Sequence, residues 1–303
     1  MNENAILKVT NDYIFKSLFS KKGNEDILKD LLEGILEIRI EKIEVMQEVE
    51  LNRVDIKDKL GILDIKAIIN EDTTIDIEIQ VSNEKNMIER TLFYWSGLYY
   101  TGLKKGKRYE ENNKVITINI LRYNIFKGAK YHTIGLIKEK NDNKEITDKL
   151  EIHFIELPKF LKSKEQGNKK LRQWLEFICN ERKEEISVAV RENEKIAKAN
   201  SEWEYLKGDE AVKRLAFLRE KWIRDYDSGV KNAEEEGIAI GEKRGKKIGE
   251  ARGKEIGEKK GREEIAIKMI KKKMDENLIS EVTNLTITEI EKIKQKLEKQ
   301  NVI

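Results

Sequence analysis

In the segment TIDIEIQV, residues 74–81, Ile75, Ile77, Ile79 and Val81 fall on one side of an extended chain and Asp76, Glu78 and Gln80 on the other. In the preceding run, GILDIKAII, Asp64 interrupts apolar neighbours and Lys66 lies on its side. A carboxylate in a strand otherwise fit for burial is costly unless it is paired or bound to metal. Two of them on neighbouring strands offer oxygen ligands to a hard cation such as Mg²⁺, which keeps waters and leaves positions open for a phosphate. That donor set suits phosphodiester hydrolysis, where the metal acidifies an attacking water and offsets charge on the phosphorane. Alternation alone also describes a sheet whose acidic side faces water, and spacing does not decide between the two.

Other chemistries find little support. The chain has no G-x-x-x-x-G-K-[ST] phosphate loop and no G-x-S-x-G elbow. Two histidines, His132 and His153, both in strand-like segments, and one cysteine are too few for most zinc sites. Cys179 lies in the helical pattern LRQWLEFIC and is expected to be a buried structural thiol.

The elements that must position the acidic strand can be read from periodicity. Residues 12–37 have helical spacing broken at Lys22-Gly23-Asn24, giving a helical pair. IRIEKIEV, LGILDIKAII and TIDIEIQV then have period two, which predicts a three-stranded meander. Residues 86–105 return to helical spacing, VITINIL (115–121) and KLEIHFIEL (149–157) read as strands, and the domain closes near the only proline, Pro158. This order defines an α/β or α+β domain. Beyond residue 165 the segments 169–181, 184–207 and 209–228 are expected to be helices.

The runs NDYIFKSLF, GILDIKAII, IDIEIQ and ERTLFYWSGLYYTGLKKGKRYEENNKVITINIL resemble the Rpn group of recombination-promoting nucleases, also called PD-(D/E)XK family transposases. The resemblance covers residues 5–125 strongly, and its signature is the order D-x-x-F-K, L-D, I-E-x-Q, R-x-x-x-Y. It implies an α/β core of the restriction-endonuclease kind, a DNA substrate and a divalent cation, Mg²⁺ or else Mn²⁺ or Ca²⁺. It implies Asp64 and Glu78 as metal ligands, with Gln80 where many relatives in the wider superfamily carry lysine. A lysine there orients water and offsets charge, whereas glutamine only hydrogen-bonds. Arg90, matching the family's arginine, and Lys66 are the candidates for the missing positive charge. Asp12 and Lys16 match the N-terminal motif. Asp12 either borders the site or is a helix N-cap. Tyr94, one turn from Arg90, is a packing residue or a site residue.

Charge is unevenly distributed. The formal net charge is +3, and residues 241–273 carry 13 Lys/Arg against 6 Glu, so the remainder sums to -4. Glycine recurs at 237, 241, 245, 249, 253, 257 and 261, a spacing of four that forms one stripe on a helix. Each interior glycine costs a helix roughly 1 kcal/mol relative to alanine, so the segment either packs closely on another helix, forms a charged spacer, or docks on a DNA backbone. A homo-oligomer through the C-terminal helices is the expectation taken forward. The last stretch reads as two short helices around Thr-Asn-Leu, with a capping box at Thr286-Ile-Thr-Glu289.

These readings divide the chain into a nuclease-like core at 1–160, a helical region at 161–228, and at 229–303 a charged helix with glycine every four residues, followed by a helical hairpin. No run approaches 18 apolar residues and the N-terminus lacks a signal-peptide plan, so a cytoplasmic protein is expected. The function expected is that of a metal-dependent DNA endonuclease linked to recombination or genome defence. The alternative is a catalytically weak DNA-binding or oligomerising protein on the same fold.

Overall fold

The computed structural model describes residues 7–46, 65–82, 85–163, 167–179 and 183–299. The chain forms two compact units, Met1–Asp227 and Ser228–Ile303.

The first unit opens with α1 (Asp12–Phe19) and α2 (Glu25–Leu36). The Asn11 side chain starts α1 by accepting the N–H groups of Tyr13 and Ile14 at 3.1 and 3.2 Å. Glu37, left-handed at φ 56°, ends α2. The period-two pattern from residue 38 therefore becomes a strand only at Ile43. Before it, Ile40 is buried in the core and its N–H goes to Glu33 Oε1 at 3.1 Å.

Six strands form one mixed sheet in the order β1-β2-β3-β4-β6-β5. β1 (Ile43–Met46), β2 (Ile65–Ile69) and β3 (Thr73–Gln80) are the expected antiparallel meander. After α3 (Met87–Gly102), β4 (Lys114–Leu121) lies parallel to β3, and β6 (Glu145–Glu156) lies parallel to β4. A parallel pair needs a long crossover, and α3 provides it. β5 (His132–Lys138), which the strand order read from sequence had not included, pairs antiparallel with β6 at the sheet edge.

One face of the sheet carries Ile75, Ile77, Ile79, Ile116, Ile118 and Ile120 into a core shared with Phe15, Phe19, Trp174 and Phe177. The helices after the short α4 (Leu157–Phe160) join this same core: α5 (Lys169–Cys179), α6 (Lys183–Glu192) and α7 (Glu194–Gly208). Cys179 is buried there, as its pattern predicted. Residues 184–207 had read as one helix, but Asn193 interrupts them. It accepts the N–H groups of Lys195 and Ile196 and donates to Asp30 at 2.8 Å. The opposite face of the sheet is covered by α3 through Met87 and Trp95, against Leu121, Leu150, Ile152 and Phe154.

α8 (Glu210–Lys271) has residues in both units and holds the seven spaced glycines, each with open space where a Cβ would stand. In the second unit α9 (Glu276–Thr283) and α10 (Ile287–Lys299) close a small core of Ala266, Ile270, Ile279, Leu285, Ile290 and Leu297. The capping box forms: Thr286 N–H donates to Glu289 Oε2 at 3.0 Å, and Glu289 N–H to Thr286 Oγ1 at 3.4 Å. No described helix is long and apolar enough to cross a membrane.

The two histidines join the sheet edge to its centre. His132 Nε2 lies 2.9 Å from His153 Nδ1, His153 Nε2 lies 2.7 Å from Glu151 Oε1, and Glu151 takes Lys114 Nζ at 2.5 Å. Burial, and next the field of His153, lower the His132 pKa from 6.5 to about 4 against the pull of Glu151. The His153 hydrogen bond, outweighing burial and assisted by Lys114, lowers Glu151 from 4.5 to about 2. Both groups bind protons more readily in the unfolded chain, so both remove stability as pH falls. His132 acts between 6.5 and about 4, and Glu151 between 4.5 and about 2. The thermal midpoint should therefore begin to fall below pH 6.5. His132→Gln should flatten the upper window, worth about 3 kcal/mol, and leave the lower one. Melting curves across pH test this, and an unchanged upper slope in the variant would refute the assignment.

Candidate active site

β3 is buried on both sides, and its polar side faces α3. Asp76 and Glu78 are each 5% exposed and Gln80 is half-buried. Across the ladders Asp76 is level with Lys66 on β2 and Thr117 on β4, Glu78 with Asn119, and Gln80 with Leu121. The acidic side therefore does not face open water, and its charges need partners.

Three of the expected site residues meet. Gln80 Nε2 donates to Glu78 Oε2 at 2.6 Å, Arg90 Nη1 donates to Gln80 Oε1 at 3.3 Å, and Arg90 Nη2 stands 3.6 Å from Glu78 Oε2. Arg90 also lies 5.5 Å from the centre of the Tyr94 ring, so Tyr94 supports the guanidinium. Strand alternation places Glu78 and Gln80 on one side, and the first turn of α3 sets Arg90 above them.

Further residues hold α3 at this height. The Thr91 hydroxyl is 2.8 Å from Met87 O and 3.2 Å from Asn119 Oδ1, and Asn119 Nδ2 donates to His153 O at 3.1 Å. Trp95 Nε1 donates to Val115 O at 3.2 Å. Thr91, Thr117 and Asn119 were not singled out from the sequence. For the last two the signal was present in VITINIL, where Thr117 and Asn119 are the polar residues of an otherwise apolar strand and sit level with Asp76 and Glu78.

The remaining expectations divide. Asp64 lies outside the described residues. Asp12 is not the N-cap of α1, a role that Asn11 fills. It is buried, and its Oδ2 takes Arg219 Nε of α8 at 2.5 Å, while Arg219 lies 4.8 Å from the Trp222 ring. No hydrogen bond or ion pair joins Asp12 to Glu78, Gln80 or Arg90. Lys66 is half-buried beside Asp76, and Lys16 is half-buried on α1.

The donors on this face are carboxylate and amide oxygens, suited to a hard divalent cation. The groups that favour zinc are engaged elsewhere, the histidines with each other and Cys179 inside α5. Among the described residues no group of three or more His, Cys, Asp or Glu converges. Glu78 and Asp76 thus fit part of such a ligand set.

The first unit is thus a mixed α/β sheet that buries an acidic strand under an arginine-bearing helix. Residues 9–233 match the family described as PD-(D/E)XK nuclease family transposase, and the chain belongs to that family. No curated protein and no solved structure matches it.

The Thr91–Asn119–His153 chain should be a measurable part of the site's support. Asn119→Leu strands two polar partners and should cost about 2–3 kcal/mol, while Thr91→Val should cost about 1 kcal/mol. Urea denaturation measures both, and equal, negligible losses would show that α3 is held by its apolar contacts alone.

Proposed function

We propose that the chain is a divalent-metal-dependent DNA endonuclease that hydrolyses phosphodiester bonds through Glu78, Gln80, Arg90 and Asp64, in a setting of recombination or genome defence. The observation that carries this reading is the Glu78–Gln80–Arg90 cluster, in a chain of a PD-(D/E)XK nuclease family. Asp64 and Glu78 are the proposed metal ligands, and the cation is Mg²⁺ or else Mn²⁺ or Ca²⁺. When bound, that cation lowers the pKa of a water and offsets charge on the phosphorane.

The chain's own residues have distinct tasks. Glu78 supplies an oxygen held in place by the Gln80 amide. Gln80 is neutral and transfers no proton at this pH, so its contribution is orientation. Arg90 carries a fixed charge and a planar set of donors, which suit a phosphate oxygen. In the structure it faces Glu78 and Gln80, so it can turn its donors to substrate without crossing the site. Hydrolysis forms one P–O bond from water and breaks another, and the proton released by water passes to solvent or to the phosphate, since neither Gln80 nor Arg90 accepts it. Asp12, tied to Arg219, acts as a support of the α1–α8 contact within the first unit.

A second reading has its own observation. With glutamine in place of lysine and Arg90 already opposite Glu78, the site resembles a charge-balanced core, and the chain would then be a DNA-binding or oligomerising protein on a nuclease fold. The exposed glycine stripe of α8 suits the homo-oligomer through the C-terminal helices under either reading.

Plasmid nicking by the purified full chain in Mg²⁺, Mn²⁺ and Ca²⁺, beside Asp64→Ala and Glu78→Ala prepared identically, distinguishes the two. Nicking that needs metal and falls by a factor on the order of a hundred or more in both variants is the expected result. Equal activity in the variants would mark a contaminant, and DNA binding without any cleavage would establish the second reading.

A further inference from the structure

Residues 122–130, RYNIFKGAK, connect β4 to β5 at the carboxyl ends of the parallel strands β3, β4 and β6. In open α/β sheets this end is where ligands bind. The connection begins beside the candidate site: Leu121 is level with Gln80, and the Arg122 N–H donates to Gln80 O at 3.0 Å.

A fully buried carboxylate holds the middle of this loop. Glu156 Oε1 accepts the N–H groups of Ile125 and Phe126 at 2.7 and 3.2 Å, and its Oε2 takes Lys159 Nζ at 2.6 Å. Lys159 Nζ also donates to Phe126 O at 2.8 Å, and the Phe126 ring packs edge-on to Phe154 at 5.3 Å. Burying an ion pair is repaid only when its remaining hydrogen-bonding capacity is used. Here that capacity is used on loop backbone, so the loop is fixed from beneath.

Its outer side is basic. Arg122, Lys127 and Lys130 are exposed, and residues 122–130 contain no acid. None of the three side chains forms a hydrogen bond or ion pair with a described residue, whereas Lys21, Lys42, Lys170 and Lys198 each have a carboxylate partner. A fixed loop that starts beside the site and carries three such cations along its length matches a polyanion with regularly spaced charge.

We propose that residues 122–130 grip the phosphate backbone of duplex DNA and lead it to the Glu78 site through Arg122, Lys127 and Lys130. This rests on the nuclease reading above and adds the surface by which substrate is held. Phosphate contacts position a strand without reading its sequence, so the effect is uniform across sequences.

The test is the full chain with Arg122→Ala, Lys127→Ala and Lys130→Ala combined, binding labelled duplexes of two unrelated sequences in EDTA over a range of salt. The plot of log affinity against log salt should flatten by about 2–3 units, with both duplexes weakened alike on the order of tenfold or more at low salt. A variant with Lys127→Arg and Lys130→Arg should retain the wild-type slope. A wild-type slope in the triple variant would overturn the loop assignment while leaving the nuclease reading intact. Wild-type protein that binds no duplex, or binds RNA alone, would overturn both. Loss on one sequence only would place the residues in base readout and overturn the proposal as stated.

Discussion

Glu78 is a carboxylate inside a sheet that is covered on both faces, and the arrangement around β3 follows from keeping it there. The effective penalty for an unpaired buried ion is several kcal/mol. Part of the compensation is local, since Gln80 follows at the next position on the same side of the strand. The rest must come from the element lying over that side. Parallel pairing of β3 with β4 already demands a crossover helix, and α3 supplies Arg90 from its first turn. One helix thus meets a topological need and an electrostatic one. Its height is fixed by polar latches, Thr91 to Asn119 and Trp95 to Val115 O, as well as by apolar contact.

Of the five buried carboxylates among the described residues of the first unit, Glu156, Asp12 and Glu78 are held in different ways. Glu156 is saturated: it takes two backbone N–H groups and an ammonium that is itself tied to the same loop. Asp12 is closed by a short ion pair to Arg219 and by the Tyr13 N–H at 2.9 Å. Glu78 is held by a neutral amide, and its arginine stands off at 3.6 Å. A neutral donor and a stand-off cation are easily displaced compared with the contacts at the other two sites.

Much of this was legible in the sequence, for identifiable reasons. Period two over residues 74–81 gave the face of Glu78 and Gln80 because side chains on a strand must alternate. The helical spacing after it gave α3, and the one-turn relation of Arg90 to Tyr94 survives as a ring contact. What stayed hidden was tertiary. Whether the acidic side met water or a helix depended on where α3 lay, and alternation carries no information on that. β5 was missing from the strand order because its pattern is weak and exposed, HTIGLIK at a sheet edge. Asn193 divides a run of good helical spacing by capping Lys195 and Ile196, and its amide is anchored by Asp30, far away in sequence. Asp12 read equally as a cap or a site residue, and its engagement with Arg219 spans more than two hundred positions.

Gln80, the last residue of the I-E-x-Q signature, is where the chain's electrostatics differ most from the wider superfamily, many of whose members carry lysine there. A lysine there would bring a charge of its own to Glu78 and leave the helix-borne arginine free. Glutamine brings none, so the guanidinium must do two tasks, balancing Glu78 in the resting protein and, on the nuclease reading, meeting a phosphate when one arrives. A cation taken up by Glu78 would resolve that conflict, because it replaces Arg90 as the partner of the carboxylate. Metal and substrate binding would then be coupled through one side chain, each releasing Arg90 toward the other's task. On the nuclease reading, an amide in place of an ammonium shifts the work of the site from Gln80 to Arg90, and the latches that hold α3 then bear on its chemistry.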